Sequence, residues 1–145
     1  MEPNDYGMLR LERQLCFPLY ACSKEVIRRY KPFLDPLELT YTQYIALMVL
    51  WEKKSMTVKD LGERLYLDSG TLTPVLKKLE AKHYIQRQRS EQDERSVIIT
   101  LTEEGWALQE KASAVPKQMS ACVVLSQEER IQLYGLLQKM LASLR

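Results

Sequence analysis

Apolar residues recur at helical intervals near the start of the chain. Leu11, Leu15, Leu19, Val26 and Leu34 predict a helical segment from about Leu9 to Leu34. Pro18 interrupts it early, either within the first turn of a helix, where a missing N–H is harmless, or as a kink in a longer one. Lys31-Pro32 and Asp35-Pro36 put the loosening or end of the segment nearby. Thr42 to Glu52 is bulky and apolar on most of its circumference, which predicts a buried helix. A short polar helix from Val58 to Leu65 follows, with Thr57 as its cap and TVKDL as a capping-box-like start.

The segment YLDSGTLTPVLKKLEAKHYI is the most informative. Asp68 or Ser69 offers an N-cap, and Leu72, Val75, Leu76 and Leu79 make an inward face at helical spacing. The remaining face carries Gly70, Thr71, Pro74, Lys77, Lys78 and Lys82. IQRQR and VIITLT then have strand composition and frame the polar turn SEQDERS. Helix, turn, helix and two-stranded hairpin is the order of a winged helix-turn-helix. Two more helices are predicted, from Glu103 to about Ser120 and from Gln127 to Leu144, the second capped by Ser126 with Glu129. The leucines and Met140 of that last helix form an apolar face with little of its own domain left to cover, so a second subunit is its natural recipient.

Composition narrows the function classes. The chain has 145 residues, 46% of them hydrophobic, enough for one compact domain with a real core. The formal net charge of +2 excludes an acidic tail protein or a strongly basic architectural protein, but not a nucleic-acid binder whose positive charge is gathered on one face. From Lys77 to Arg89 the basic residues are Lys77, Lys78, Lys82, Arg87 and Arg89, opposed only by Glu80. The opening MEPNDYGMLRLERQ is too charged for a signal peptide, and the run from Tyr44 to Trp51 is far too short to cross a bilayer. A cytoplasmic protein with reduced thiols and no membrane partner is therefore expected. Cys16, Cys22 and Cys122 fit neither a disulfide framework nor a CxxC pattern, and with a single histidine, His83, no metal or other cofactor is expected.

The short side chains of Ser69, Gly70, Thr71 and Thr73 at a helix N-terminus suit close approach to a DNA major groove. Lys77 and Lys78, one or two turns on, suit phosphates. One such helix alone would be read as an ordinary solvated helix. Coupled to the preceding short helix and to a hairpin with Arg95 near its tip, it reads as DNA-binding. LGERLYLDSGTLTPVLKKLE and DERSVIITLTEEG resemble the winged-helix core of MarR-type repressors. QLCFPLY, YKPFL and LTYTQY are similar to the organic hydroperoxide resistance regulators within that group, and the resemblance covers nearly the whole chain. Pro18 departs from the apolar residue usual at its position.

The resemblance implies a mainly α fold with a small β-hairpin wing, forming a single MarR-type domain over residues 1–145. Residues 9–36 would form a sensor and dimerisation helix, 41–102 the winged helix-turn-helix, and 103–145 the C-terminal dimerisation helices. It implies a homodimeric repressor that leaves its double-stranded operator when an organic hydroperoxide oxidises one cysteine. The recognition helix would begin near Asp68 and Ser69, and Arg95, steadied by Asp93, would enter the minor groove.

Cys16 stands in an apolar run, with Tyr20 one helical turn on and Tyr30 fourteen residues on, both within roughly 40° of its direction on a regular helix. Along one helix Tyr30 lies about 21 Å from Cys16, so within one chain it cannot touch the thiol by that route. Two helices crossing antiparallel in a twofold dimer would bring the partner subunit's Tyr30 there. The related regulators imply that tyrosines matching Tyr30 and Tyr41 hydrogen-bond the reactive sulfur from the other subunit. By the same resemblance Cys122 is the resolving thiol of the two-cysteine branch, bonding Cys16 between subunits. Cys22 lies about 240° around the helix from Cys16 and is read as packing. Without the family motif, Cys16 would be read as a small buried hydrophobe. The rivals are a repressor released by a phenolic ligand in the dimer cleft and, from another class, a thiol peroxidase. Neither would use the whole set of motifs.

Overall fold

The computed structural model describes residues 6–145; the first five residues, part of the charged opening, lie outside the described residues. The segment expected to be helical from Leu9 begins later. Two 3-10 turns, Tyr6–Leu9 and Leu11–Arg13, precede α1, which is Cys16–Leu34. Arg10 and Gln14 have extended backbone on either side of the second turn. The Gln14 side-chain amide donates to the carbonyls of Met8 (2.6 Å) and Arg10 (2.9 Å), which fixes this non-helical entry. Pro18 is then the third residue of α1, where its missing N–H has no partner to lose. The sequence alternatives for Pro18 thus resolve to the first turn, and Cys16 becomes the first helical residue. At the far end α1 runs through Pro32 to Leu34, and the 3-10 turn Asp35–Leu37 closes it before Glu38 takes a left-handed backbone, φ 56°.

Helix α2, Tyr41–Lys53, is capped reciprocally: Gln43 N–H donates to Thr40 Oγ1 (3.3 Å) and Thr40 N–H to Gln43 Oε1 (3.1 Å). It supplies the centre of the core, with Ala46, Leu47 and Leu50 fully buried. Strand β1 (Ser55–Thr57), α3 (Val58–Leu65) and α4 (Ser69–Ala81) follow. Then come the hairpin β2 (Ile85–Arg89) and β3 (Val97–Leu101). The sheet has three antiparallel strands in the order β1-β3-β2, with Met56 and Arg87 both opposite Ile99. The expected two-stranded wing therefore gains a third strand at its base. Leu61, Leu72, Leu76, Leu79, Ile85 and Ile99 are fully buried and join the two helices and the sheet in one core.

The helix expected from Glu103 to Ser120 is two helices, α5 (Glu103–Ala112) and α6 (Val115–Ser120). Pro116, in the first turn of α6, has no N–H to return to the Ala112 carbonyl. The Ser113 hydroxyl instead turns back to the Glu110 carbonyl, 2.6 Å. Helix α7, Gln127–Leu144, has the expected Ser126–Glu129 capping box. It has no buried residue at all, and Leu34 is the only buried residue of α1. No described helix is long and apolar enough to cross a membrane.

Candidate functional site

Two regions hold the residues singled out from the sequence. The first surrounds the N-terminus of α4. Asp68 is the N-cap, its Oδ1 accepting the Thr71 N–H at 2.7 Å, and that bond holds its carboxyl below the usual range. A capped first turn leaves Ser69, Gly70 and Thr71 exposed on a fixed backbone. Thr73 is half-buried and its hydroxyl donates back to the Ser69 carbonyl, 2.6 Å. Lys77 and Lys78 are exposed along the same helix. Lys82, the third lysine of that face, turns away: its ammonium donates to the Glu38 carbonyl and lies 3.5 Å from Gln43 Oε1, tying the end of α4 to the start of α2.

The wing adds Arg95, exposed in the turn between β2 and β3. Asp93 steadies it through the backbone, accepting the Arg95 N–H at 3.0 Å and the Ser96 hydroxyl at 3.3 Å, so the guanidinium is left for other partners. Arg87 is placed differently. It is half-buried on β2 and donates to Glu80 at 3.0 Å, holding the Glu80 carboxyl below its ordinary range, while its Nε is buried with no partner among the described residues. A phosphate at Arg87 would share the side chain with Glu80. A cleft of about 650 Å³ between α3, α4 and the wing is lined by Ser69, Thr73, Arg87, Asp93 and Arg95, so the fold brings these residues to one concave surface.

The second region lies along α1. Cys16 is exposed at the first residue of that helix, whose N-terminus has no side-chain cap. Tyr20 and Phe17 flank the same turn, their ring centroids 6.5 Å apart, and the Lys24 ammonium lies 5.4 Å from the Tyr20 ring centre. Tyr30 is at the far end of α1 and packs on α2, with ring centroids 4.9 Å from Tyr41 and 5.9 Å from Tyr44. Burial, reinforced at Tyr30 by neighbouring Tyr41, pushes the Tyr30 and Tyr41 hydroxyls above their ordinary pKa. They therefore remain neutral hydrogen-bond donors at physiological pH. Tyr44 completes the trio at 3% exposure and was not singled out from the sequence. Its only signal was a three-residue offset from Tyr41 in LTYTQYIALM, which also fits simple core packing.

Cys22 is exposed on α1, and Cys122 is half-buried in the turn between α6 and α7, its thiol donating to the Gln118 carbonyl at 3.5 Å. Around both regions the termini present uncovered apolar side chains: Leu15, Phe17, Leu19, Val26 and Ile27 on α1, and Ile131, Leu133, Tyr134, Leu136 and Leu144 on α7. Among the described residues no group of three or more His, Cys, Asp or Glu side chains is arranged to hold a metal ion.

The model of the family described as transcriptional regulator SarA/Rot matches residues 28–112. Over 141 residues the chain is 51% identical to the organic hydroperoxide resistance transcriptional regulator of Bacillus subtilis (strain 168), spanning 97% of this chain and 96% of that protein. The chain belongs to the organic hydroperoxide resistance branch of the MarR-type transcriptional regulators. Among solved structures, this regulator is similar to reduced AbfR bound to DNA, at 36% identity and a TM-score of 0.78, over 96% of this chain and 98% of that one. It is also similar to disulfide-formed AbfR, at 37% identity and a TM-score of 0.68, over 95% of this chain and 94% of that one. AbfR is a protein of Staphylococcus epidermidis. The regulator thus shares its winged-helix architecture with relatives described in both reduced and disulfide states.

Proposed function

We propose that this regulator is a cytoplasmic homodimeric repressor that holds double-stranded operator DNA when reduced and releases it when an organic hydroperoxide oxidises Cys16. One observation carries the reading. An exposed thiol opens α1, a cluster of neutral phenols with Tyr30 and Tyr41 half-buried stands at the other end of the same helix, and the apolar surface running between them lacks a cover in one chain. A second copy crossing antiparallel covers that surface through α1, α5, α6 and α7. It also carries the partner subunit's Tyr30 and Tyr41 to Cys16.

The chemistry follows from that pairing. The thiolate attacks the outer oxygen of the hydroperoxide, the O–O bond breaks, and with one proton the products are a sulfenic acid at Cys16 and an alcohol. Phenol donors and the helix N-terminus favour S⁻ without adding a full charge, and Phe17 and Leu19 offer an apolar surface to the organic tail. The thiol of the partner's Cys122 then attacks the sulfenic sulfur, water leaves, and an intersubunit disulfide forms. Dimer helices locked by that bond no longer hold the two α4 helices at the spacing of two operator half-sites.

Within this reading Ser69, Gly70, Thr71 and Thr73 face the major groove, Lys77, Lys78 and the shared Arg87 meet phosphates, and Arg95, held by Asp93, enters the minor groove. Lys78→Ala is expected to lower the salt slope of binding by about one unit on every sequence. Arg95→Ala should weaken binding most at sites with a narrow A·T-rich minor groove. Anisotropy titrations against operators of different flanking sequence, at several salt concentrations, check both. Loss of neither property would move the DNA surface elsewhere.

Tyr30→Phe and Tyr41→Phe should each retain DNA binding and slow oxidation of Cys16 by roughly tenfold, because each removes a hydrogen bond to a charged sulfur. Stopped-flow thiol loss measures this, and wild-type rates in both variants would detach the tyrosines from the thiol. Mobility shift with an organic hydroperoxide, with and without dithiothreitol, separates the rivals. Reversible release marks the sensor, continuing peroxide consumption a thiol peroxidase, and indifference a repressor gated by a phenolic ligand.

A further inference from the structure

The turn that carries Cys122 is held by a single side chain from α7. Arg130, half-buried one turn into that helix, makes four hydrogen bonds into the turn. Its Nε donates to the Leu125 carbonyl (3.1 Å), Nη1 to Ser120 Oγ (2.6 Å), and Nη2 to the carbonyls of Ser120 (2.7 Å) and Val123 (2.9 Å). These acceptors lie on both sides of Cys122. They include a side chain and a carbonyl at the end of α6 and two carbonyls of the segment leading into α7. The backbone around the thiol adds bonds of its own, among them those from Cys122 N–H to the Met119 carbonyl (3.0 Å) and from Val123 N–H to the Ser120 carbonyl (3.3 Å). Neither of these reaches across to α7. Arg130 alone among the described residues ties both flanks of the turn to that helix by side-chain hydrogen bonds. None of its bonds goes to a carboxylate: three go to backbone carbonyls and one to a hydroxyl, so the guanidinium serves to orient the turn.

We infer that Arg130 is the positioning residue for the resolving step: it holds the Cys122 turn in one geometry relative to α7, and so sets how fast Cys122 captures the sulfenic acid of the partner's Cys16. This inference rests on the reading of Cys122 as the resolving thiol. The step itself is the attack of the Cys122 sulfur on the sulfenic sulfur, with the S–S bond forming, the S–O bond breaking and water leaving. No further oxidant enters. A short turn free to sample many shapes presents its thiol at lower effective concentration than one held in place, and this difference falls on the second step only. The first step, peroxide attack at Cys16, does not involve the turn.

The decisive experiment follows both steps in the full-length protein after one equivalent of organic hydroperoxide. Sulfenic acid is trapped at timed intervals with a cyclic 1,3-dione, and the covalent dimer is read on non-reducing gels. In Arg130→Met the expected outcome is sulfenic acid forming at the wild-type rate but persisting, with the covalent dimer appearing about tenfold more slowly. Arg130→Lys, which keeps the charge but cannot reach four acceptors at once, should stay close to Arg130→Met rather than to wild type. It serves as the reporter if the methionine variant does not fold. Thermal unfolding of the reduced variants identifies general loosening, which would slow both steps. Dimer formation at or above the wild-type rate in Arg130→Lys, or equal slowing of the two steps, overturns the inference alone. A wild-type protein that forms no Cys16–Cys122 bond overturns the inference together with the two-cysteine reading.

Discussion

Cys16→Ser is expected to bind operator DNA with wild-type affinity and to remain bound at organic hydroperoxide concentrations that release the wild type completely. The recognition surface proposed at α4 and the wing includes no residue of α1, so the substitution should leave the reduced complex intact. A serine hydroxyl is somewhat smaller than the thiol but similar in shape, and it is neither ionised at neutral pH nor oxidised by peroxide under the same conditions, so the response is lost as a whole rather than reduced. The effect is a loss of switching, distinct from the graded slowing expected of the tyrosine variants. Anisotropy of a labelled operator, with peroxide added to the preformed complex, measures it directly. Release of Cys16→Ser at wild-type peroxide concentrations would transfer the sensor to another residue.

The largest expected loss of stability is at a position outside both regions. A Cβ on Gly105 would lie 2.2 Å from the Tyr84 carbonyl oxygen, 2.9 Å from Leu101 Cδ2 and 3.1 Å from the Tyr84 carbonyl carbon. Leu101 can rotate, but the backbone of Tyr84 cannot, because its carbonyl accepts the Thr102 N–H at 3.1 Å. Gly105 is itself fixed from two sides. Its N–H donates to Thr102 Oγ1 (3.0 Å) and its carbonyl accepts the Trp51 indole N–H (2.9 Å). Gly105→Ala therefore forces α5 away from the sheet and strains these bonds together, a loss of roughly 3 kcal/mol or more. At fixed protein concentration the thermal midpoint should fall on the order of 10 °C. A shift of only about 2 °C would mean that α5 is not seated against Tyr84 as described. Gly70 provides the contrast, since the nearest atom to its added Cβ is Asp68 Oδ1 at 3.4 Å. Gly70→Ala should leave the midpoint nearly unchanged and act only on DNA affinity.

What the sequence revealed is what local chemistry dictates. The cap at Asp68, the inward leucines of α4 and the polar turn SEQDERS between two β-rich stretches are each decided within a few residues, and they sit where spacing placed them. Long-range pairings were not legible. Strand β1 has three residues and exists as a strand only because Met56 faces Ile99 across the sheet. Counting charges gives Arg87 to the basic stripe, whereas the turn from α4 into β2 brings it against Glu80. The start of α1 depends on the Gln14 side chain reaching back to Met8 and Arg10, an interaction invisible to a periodic pattern of leucines. Arg130 reads from the sequence as one more charge near a helix start, and only the folded turn gives it its four acceptors.

The family was legible through motif, but the geometry of the candidate sensor site was legible only in part. Tyr30 was separable from Cys16 by helix arithmetic alone, whereas Tyr41 entered only through the resemblance. Their packing with buried Tyr44 into a trio needed the crossing of α1 and α2. The burial that comes with that crossing raises the pKa of all three phenols, which suits them to donate rather than to ionise.

The central claim is that DNA release and oxidation of Cys16 are one event. It is tested most directly by recovering the regulator released from immobilised operator by one equivalent of organic hydroperoxide, blocking free thiols at once, and mapping its cysteines by mass spectrometry. The account predicts Cys16 oxidised in all the released protein, joined to the partner's Cys122 or trapped as the sulfenic acid. It predicts Cys16 still a free thiol in the protein that stays on the DNA. Released protein whose Cys16 is a free thiol would contradict it.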